Sequence, residues 1–238
     1  ICRRRSGEAV SFKNLLRTSV AYAASPIPTA VVVNSFGRAG STLLFQSMID
    51  SGAEASLLPS GLMRRAIWGE AWDLEAASLT SGRCYKTHDY PPSRAMRGKT
   101  LYVFGDPLAT VLSLVERTSR DGQVWLNSHA QHLKAPETTP SDLLQNDSLG
   151  LFAHLKAWVE DKNHPALFVR YEELWSVVDQ VADYIGMAIE LPARKRRTVD
   201  RLEAPRETKL AYGEFSEYVA SLPDYFVTGE APPRVTQL

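Results

Sequence analysis

Apolar residues in this chain fall into short continuous runs, separated by longer stretches in which they recur every three or four positions. The first clear run is Ala30-Val31-Val32-Val33. Its β-branched residues are consecutive rather than alternating, the pattern of a strand covered on both faces in a parallel sheet. Further short strands are predicted over Arg83–Thr87, Leu101–Phe104 and Ala166–Arg170. Helical spacing predicts helices over Ser41–Asp50, from Pro107 onward, over Leu149–Lys162 and over Glu172–Ile185, the last ending at Gly186. The stretch Thr118–Ser148 carries weak signals and reads as loop and short helix over a site, and beyond Pro192 the chain is charged and hard to read. Alternation of strand and helix implies βαβ units. The expected fold is therefore α/β with three layers, a central mainly parallel sheet flanked by helices.

No repeat and no linker rich in Pro, Gly or Ser divides the chain. Residues 26–238 read as one domain, preceded at residues 1–25 by a basic arm or helix whose only acidic residue is Glu8. That arm weakly resembles a transit segment and lacks the apolar core of a secretory signal. Composition narrows the picture only modestly. A chain of 238 residues can bury a core without disulfides or structural metal. Its 27 Lys+Arg balance 27 Asp+Glu, which argues against a broadly basic surface for nucleic acid, so an anionic ligand must be held by a local arrangement of charge. Cys2 and Cys84 match no metal or redox spacing and read as reduced thiols. No run approaches the roughly 18 apolar residues of a membrane span, and the default location is cytoplasmic.

The richest chemistry lies just after the first strand, at Asn34-Ser35-Phe36-Gly37-Arg38-Ala39-Gly40-Ser41-Thr42. Strand, glycine loop and helix together make a phosphate cradle: glycines allow a tight turn, N–H groups at the helix start face the anion, and Ser41 and Thr42 add hydroxyls. Arg38 adds a permanent charge. A nucleoside-triphosphate loop would place lysine directly after the last glycine, and Ser41 stands there instead.

Four segments in chain order resemble the sulfotransferases that use 3′-phosphoadenosine 5′-phosphosulfate. Gly37-Arg38-Ala39-Gly40-Ser41-Thr42 is similar to their 5′-phosphosulfate loop, and Tyr85-Lys86-Thr87-His88 to their Lys-Thr-His segment. Leu101-Tyr102-Val103-Phe104-Gly105-Asp106-Pro107, with Ser113 downstream, is similar to their 3′-phosphate motif. The helix bearing His154 and Trp158, followed by Val169-Arg170-Tyr171-Glu172-Glu173-Leu174, resembles the cytosolic type. The likeness runs from about Ala30 to Gly186. It implies a P-loop-like sulfotransferase fold and transfer of a sulfuryl group to a hydroxyl or amine of a small-molecule or glycan acceptor. The product nucleotide would be 3′,5′-adenosine bisphosphate, and no metal is required.

The same resemblance implies roles. His88 would be the general base, Lys86 and Arg38 would stabilise charge on the transferring group, and Gly37 through Thr42, Asp106, Ser113 and Tyr171 would hold the nucleotide. The residues themselves support part of this. Imidazole titrates near neutrality, and Lys86, two positions before His88 on an extended segment, faces the same side. His154 reads as a packing residue; His129, His132 and His164 show no metal spacing; Trp68, Trp72, Trp125 and Phe36 are candidates for an acceptor pocket. Two departures stand out. Ala39 replaces a loop serine, and Gly105 stands where the family's 3′-phosphate arginine would be. Arg117, four residues after Ser113, and the run Arg194-Lys195-Arg196-Arg197 are candidate substitutes. Two competing readings remain: a P-loop kinase of small molecules, and a sulfotransferase-like binding protein without turnover.

Overall fold

In the computed structural model, residues 25–195 and 203–228 are described. Six strands form one sheet: β1 (Val31–Asn34), β2 (Trp68–Glu70), β3 (Cys84–Lys86), β4 (Lys99–Phe104), β5 (Ala166–Arg170) and β6 (Tyr225–Val227). Their order is β2-β3-β1-β4-β5-β6, every neighbouring pair parallel except β5 with β6. The mainly parallel α/β sheet expected from the runs of Val, Leu and Phe is thus present. The first strand sits in the middle of it, and the loop that leaves its carboxyl end opens at the centre of that sheet edge.

Nine α-helices lie among the described residues: α1 (Ser41–Glu54), α2 (Ser60–Ile67), α3 (Pro107–Asp121), α4 (Gln123–His132), α5 (Pro140–Gln145), α6 (Leu151–Glu160), α7 (Val178–Ile185), α8 (Arg206–Ala211) and α9 (Gly213–Ser221). Alternating strand residues send their side chains to opposite faces. Val31, Val33, Leu101 and Val103 pack with Leu44, Met48, Ile67 and Val181 on the face covered by α1, α2 and α7. Val32, Tyr102, Phe104 and Phe168 pack with Val111, Leu126, Leu155, Trp158 and Phe215 on the other, under α3, α4, α6 and α9. Three layers result. Cys84 is a free thiol buried in the first of these cores, where desolvation pushes its pKa up; Cys2 and nearly all of the arm at residues 1–25 lie outside the described residues.

Several expectations need correction. Thr118–Ser148, read as loop and short helix, holds the end of α3 and the whole of α4 and α5, with a capping box at Thr139 and Asp142 starting α5. Glu172–Ile185 is not one helix. A 3-10 turn at Tyr171–Glu173 precedes α7, and Ser176 Oγ donates to the Glu173 carbonyl at 2.8 Å, a local bond that competes with helix continuation. Helix α1 runs on to Glu54, four residues past the predicted end. No helix among the described residues is long and apolar enough to cross a membrane.

Candidate functional site

The loop between β1 and α1 is held in an uncommon backbone conformation: φ is +89° at Gly37, +52° at Arg38 and +92° at Gly40. Gly37 and Gly40 are needed for a second reason. A Cβ at Gly37 would lie 2.4 Å from the His129 ring, and one at Gly40 would lie 2.0 Å from the Tyr171 ring. Inside the loop, Gly37 N–H donates to Ser35 Oγ at 3.1 Å, and the hydroxyls of Ser35 and Ser41 are 2.7 Å apart. Ala39 is fully buried and faces the core.

Above the loop is a cavity of about 460 Å³. Arg38, Gly40, Ser41, Thr42, Lys86, His88 and Tyr171, all singled out in the sequence, line it together with Arg117 and, from α4, Trp125, His129 and His132. Lys86 Nζ reaches Thr42 Oγ1 and lies 3.4 Å from Ser41 Oγ, while Arg38 Nε donates to Ser113 Oγ at 3.0 Å. Burial and, secondarily, the neighbouring Arg38 charge lower the Lys86 pKa to about 8. Two cations held this close oppose each other, and an anion between them relieves both. Donor set, loop geometry and charge therefore fit a phosphate or sulfate group.

His88 is only 6% exposed. Its Nδ1 lies 2.7 Å from the Ser35 carbonyl oxygen, which can only accept, so this geometry assigns the proton to Nδ1 and leaves the lone pair on Nε2. Burial first, then the charge of Lys86, holds its pKa well below the usual histidine value. The ring is therefore neutral and able to take a proton at neutral pH. Trp72 lies 5.6 Å from it and stacks on His132 at 4.0 Å, so an aromatic wall flanks the imidazole.

Asp89, next in sequence, is itself firmly held. Its carbonyl accepts from Asn34 Nδ2 at 3.0 Å, His154 Nε2 at 2.9 Å and Trp158 Nε1 at 2.8 Å. Its buried carboxylate accepts from Leu74 N–H at 2.7 Å and pairs with Lys134 at 2.7 Å, just past the end of α4. His154 Nδ1 accepts from the Tyr102 hydroxyl at 2.7 Å, so both of its ring nitrogens are used in packing, as expected for a residue outside the chemistry. His164 likewise clips a loop, between Asp161 and the Arg94 carbonyl.

Other expected site residues lie elsewhere. Asp106 does not line the cavity; its carboxylate accepts from Leu108 N–H at 2.9 Å and caps α3. Ser113 meets the cavity only through Arg38. Phe36 is core, against Phe215 at 5.5 Å, and Trp68 is on β2 against Phe45, so neither serves an acceptor pocket. Arg194 is exposed, its guanidinium 5.4 Å from the Trp175 ring; Arg196 and Arg197 lie outside the described residues.

At Gly105, a Cβ would lie 3.4 Å from both carboxylate oxygens of Glu172. This corner opens on a second hollow, also about 460 Å³, lined by Asp106, Arg170, Glu172 and Ser216 among others. Arg170 there is already paired with Asp224 at 2.8 Å, and Glu172 Oε2 and Ser216 Oγ are buried without hydrogen-bond partners. A side chain at 105 would start beside the Glu172 carboxylate.

The stretch read as loop and short helix over a site supplies α4, which borders the cavity; the sequence singles out Trp125 there, and His129 and His132 only as lacking metal spacing. Trp125, His129 and His132 are spaced i, i+4 and i+7, one face of a helix, and that spacing was the available signal. His129 is 7% exposed, and its pKa falls to about 3 through burial first, then the nearby His132, Arg38 and Lys86. Among the described residues, no group of three His, Cys, Asp or Glu is arranged to hold a metal ion. No family model matches the chain, and no curated protein matches it.

Proposed function

We propose that the protein is an enzyme transferring a sulfuryl group from 3′-phosphoadenosine 5′-phosphosulfate to a hydroxyl or amine of a small-molecule or glycan acceptor. One observation carries this reading: the loop at 37–42, Lys86, His88 and Tyr171, taken from separate segments, line the same cavity, with a neutral His88 whose Nε2 lone pair is unprotonated. The bound donor supplies an activated sulfur–oxygen bond, which breaks at the bridging phosphate oxygen as the acceptor oxygen or nitrogen bonds to sulfur. His88 Nε2 takes the acceptor proton. Lys86 and Arg38 balance the negative charge that passes to the departing phosphate, and the loop N–H groups hold the phosphate in line. Tyr171, packed on Gly40, offers its ring to the base of the nucleotide.

His88→Ala should abolish sulfuryl transfer to acceptors, while binding of 3′,5′-adenosine bisphosphate, followed by calorimetry, stays within about threefold. Retained turnover would remove His88 from the role of base. The acidic corner at Gly105 favours a second reading, a phosphate-loop protein that binds an anion without turnover. Absence of bisphosphate binding at millimolar concentration would replace the first reading with the second.

A further inference from the structure

Helix α4 is closed by a residue that its backbone disfavours. Lys134 N–H donates to the Gln131 carbonyl at 3.1 Å and Ala135 N–H to the Ala130 carbonyl at 2.9 Å, the Schellman closure of a helix, which puts Lys134 in the left-handed region at φ +54°. Glycine takes such a position at least cost; here the side chain supplies the reason for lysine. Its ammonium reaches in from a half-exposed position to the Asp89 carboxylate, which is 1% exposed, at 2.7 Å. That carboxylate also accepts the N–H groups of Leu74 at 2.7 Å and Tyr90 at 2.8 Å, so it is a buried charge that Lys134 balances. At the other end Gly122 alone joins α3 to α4, at φ +85°, with open space where a Cβ would stand.

We propose that Lys134 is a positioning residue: through Asp89 it holds α4 shut over His88, and without that pair α4 pivots at Gly122 and uncovers the imidazole. In the closed position the His129 ring meets His88 edge to face at 5.3 Å, and His132 stacks on Trp72, which itself lies 5.6 Å from His88. Closure also carries a cost that favours release. His129 Nε2 is buried beside Gly37 without a hydrogen-bond partner. Within α4 only Leu126, His129 and Ala130 are buried, and Val124 is exposed, so the helix itself contributes little apolar burial to keep it in place. The ion pair at its carboxyl end therefore decides how firmly His88 is covered. On the sulfuryl-transfer reading, release of α4 admits the acceptor to His88; the cover itself does not depend on that reading.

Diethyl pyrocarbonate acylates neutral imidazole, so it reads the cover directly when the modified histidines of the full chain are assigned by mass spectrometry. In the unaltered protein His132, which is partly exposed, should react readily, and His88 and His129 slowly. Lys134→Met should speed modification of His88 and His129 by about tenfold or more, the scale of a local opening made easier. Lys134→Gly should do the same, although it suits the left-handed backbone better, because the charge and not the turn holds α4. Lys134→Arg should keep both histidines slow. His154, bonded at both ring nitrogens, should stay unreactive in every variant and so reports an intact fold. Adenosine 5′-monophosphate binding, followed by calorimetry, should stay within about twofold in Lys134→Met, since the loop is remote from the change. Unchanged protection of His88 in Lys134→Met overturns the proposal. Exposure of His154 along with His88 also overturns it, since the pair would then support the whole fold rather than α4. Faster modification of His88 in a protein that shows no sulfuryl transfer supports the positioning role and removes only the reading of the site.

Discussion

Two hollows of equal volume lie at the carboxyl edge of the same sheet, and they differ in the sign of their charge. One, over the β1 loop, gathers Arg38, Lys86 and Arg117 around a neutral histidine. Its neighbour, beside the end of β4, gathers Asp106 and Glu172 around an arginine already paired with Asp224. Topology is not what separates them, because both are made where parallel strands hand over to helices. At Gly105 a Cβ would stand 3.4 Å from both carboxylate oxygens of Glu172, so the acidic hollow reaches that corner.

The contrast can be broken most severely at its cationic centre. Arg38→Ala removes the loop charge and the bond to Ser113, and affinity for adenosine bisphosphate should fall on the order of a hundredfold by calorimetry. Unchanged affinity would mean that the loop is only a turn. A smaller effect comes from pH. Lys86 titrates near 8 without ligand, and a bound anion favours its charged form, so binding should weaken as pH rises through about 8, with proton uptake on binding between about 8 and its higher ligand-bound pKa. A flat profile between pH 7 and 9 would detach Lys86 from the anion. Stability moves the opposite way: with a folded pKa below the ordinary lysine value, Lys86 strains the empty fold while charged, and this contribution recovers as pH rises from about 8 toward 10.5.

The smallest expected effect belongs to the acidic hollow. Glu172→Gln removes a charge whose Oε2 has no hydrogen-bond partner, and the melting temperature should rise by about 1–3 °C. A fall would show that Glu172 supports the corner rather than burdening it. The same substitution should leave monophosphate binding unchanged, since that ligand belongs to the other hollow.

How much of this was legible in the chain depended on how local each feature is. The β1 loop needs only its own nine residues, and so Gly37, Arg38 and Gly40 were readable as a cradle. Lys86 and His88 were readable as a pair because an extended segment sends alternate side chains the same way. Helix α4 was readable only as short helix over a site, because its apolar stripe is narrow: Leu126 and Ala130 are buried, while Val124 is exposed. The break after Tyr171 was hidden for a related reason: Leu174, Val177 and Val181 keep helical spacing through a segment that Ser176 and Glu173 interrupt. That Glu172 would stand against Gly105, 67 positions earlier in the chain, follows only from the pairing of β4 with β5.

The way α4 is fastened has a practical meaning. Near its carboxyl end, the Trp72–His132 stack and the Lys134–Asp89 ion pair hold it to the rest of the protein, and the His129 ring meets His88 edge to face at 5.3 Å, while His88 Nδ1 is held by the Ser35 carbonyl. Residues 123–134 are therefore fastened to the same segment that carries His88. A change at His129 or Lys134 is felt at His88, and the closeness of His129 to Gly37 carries it on to the loop.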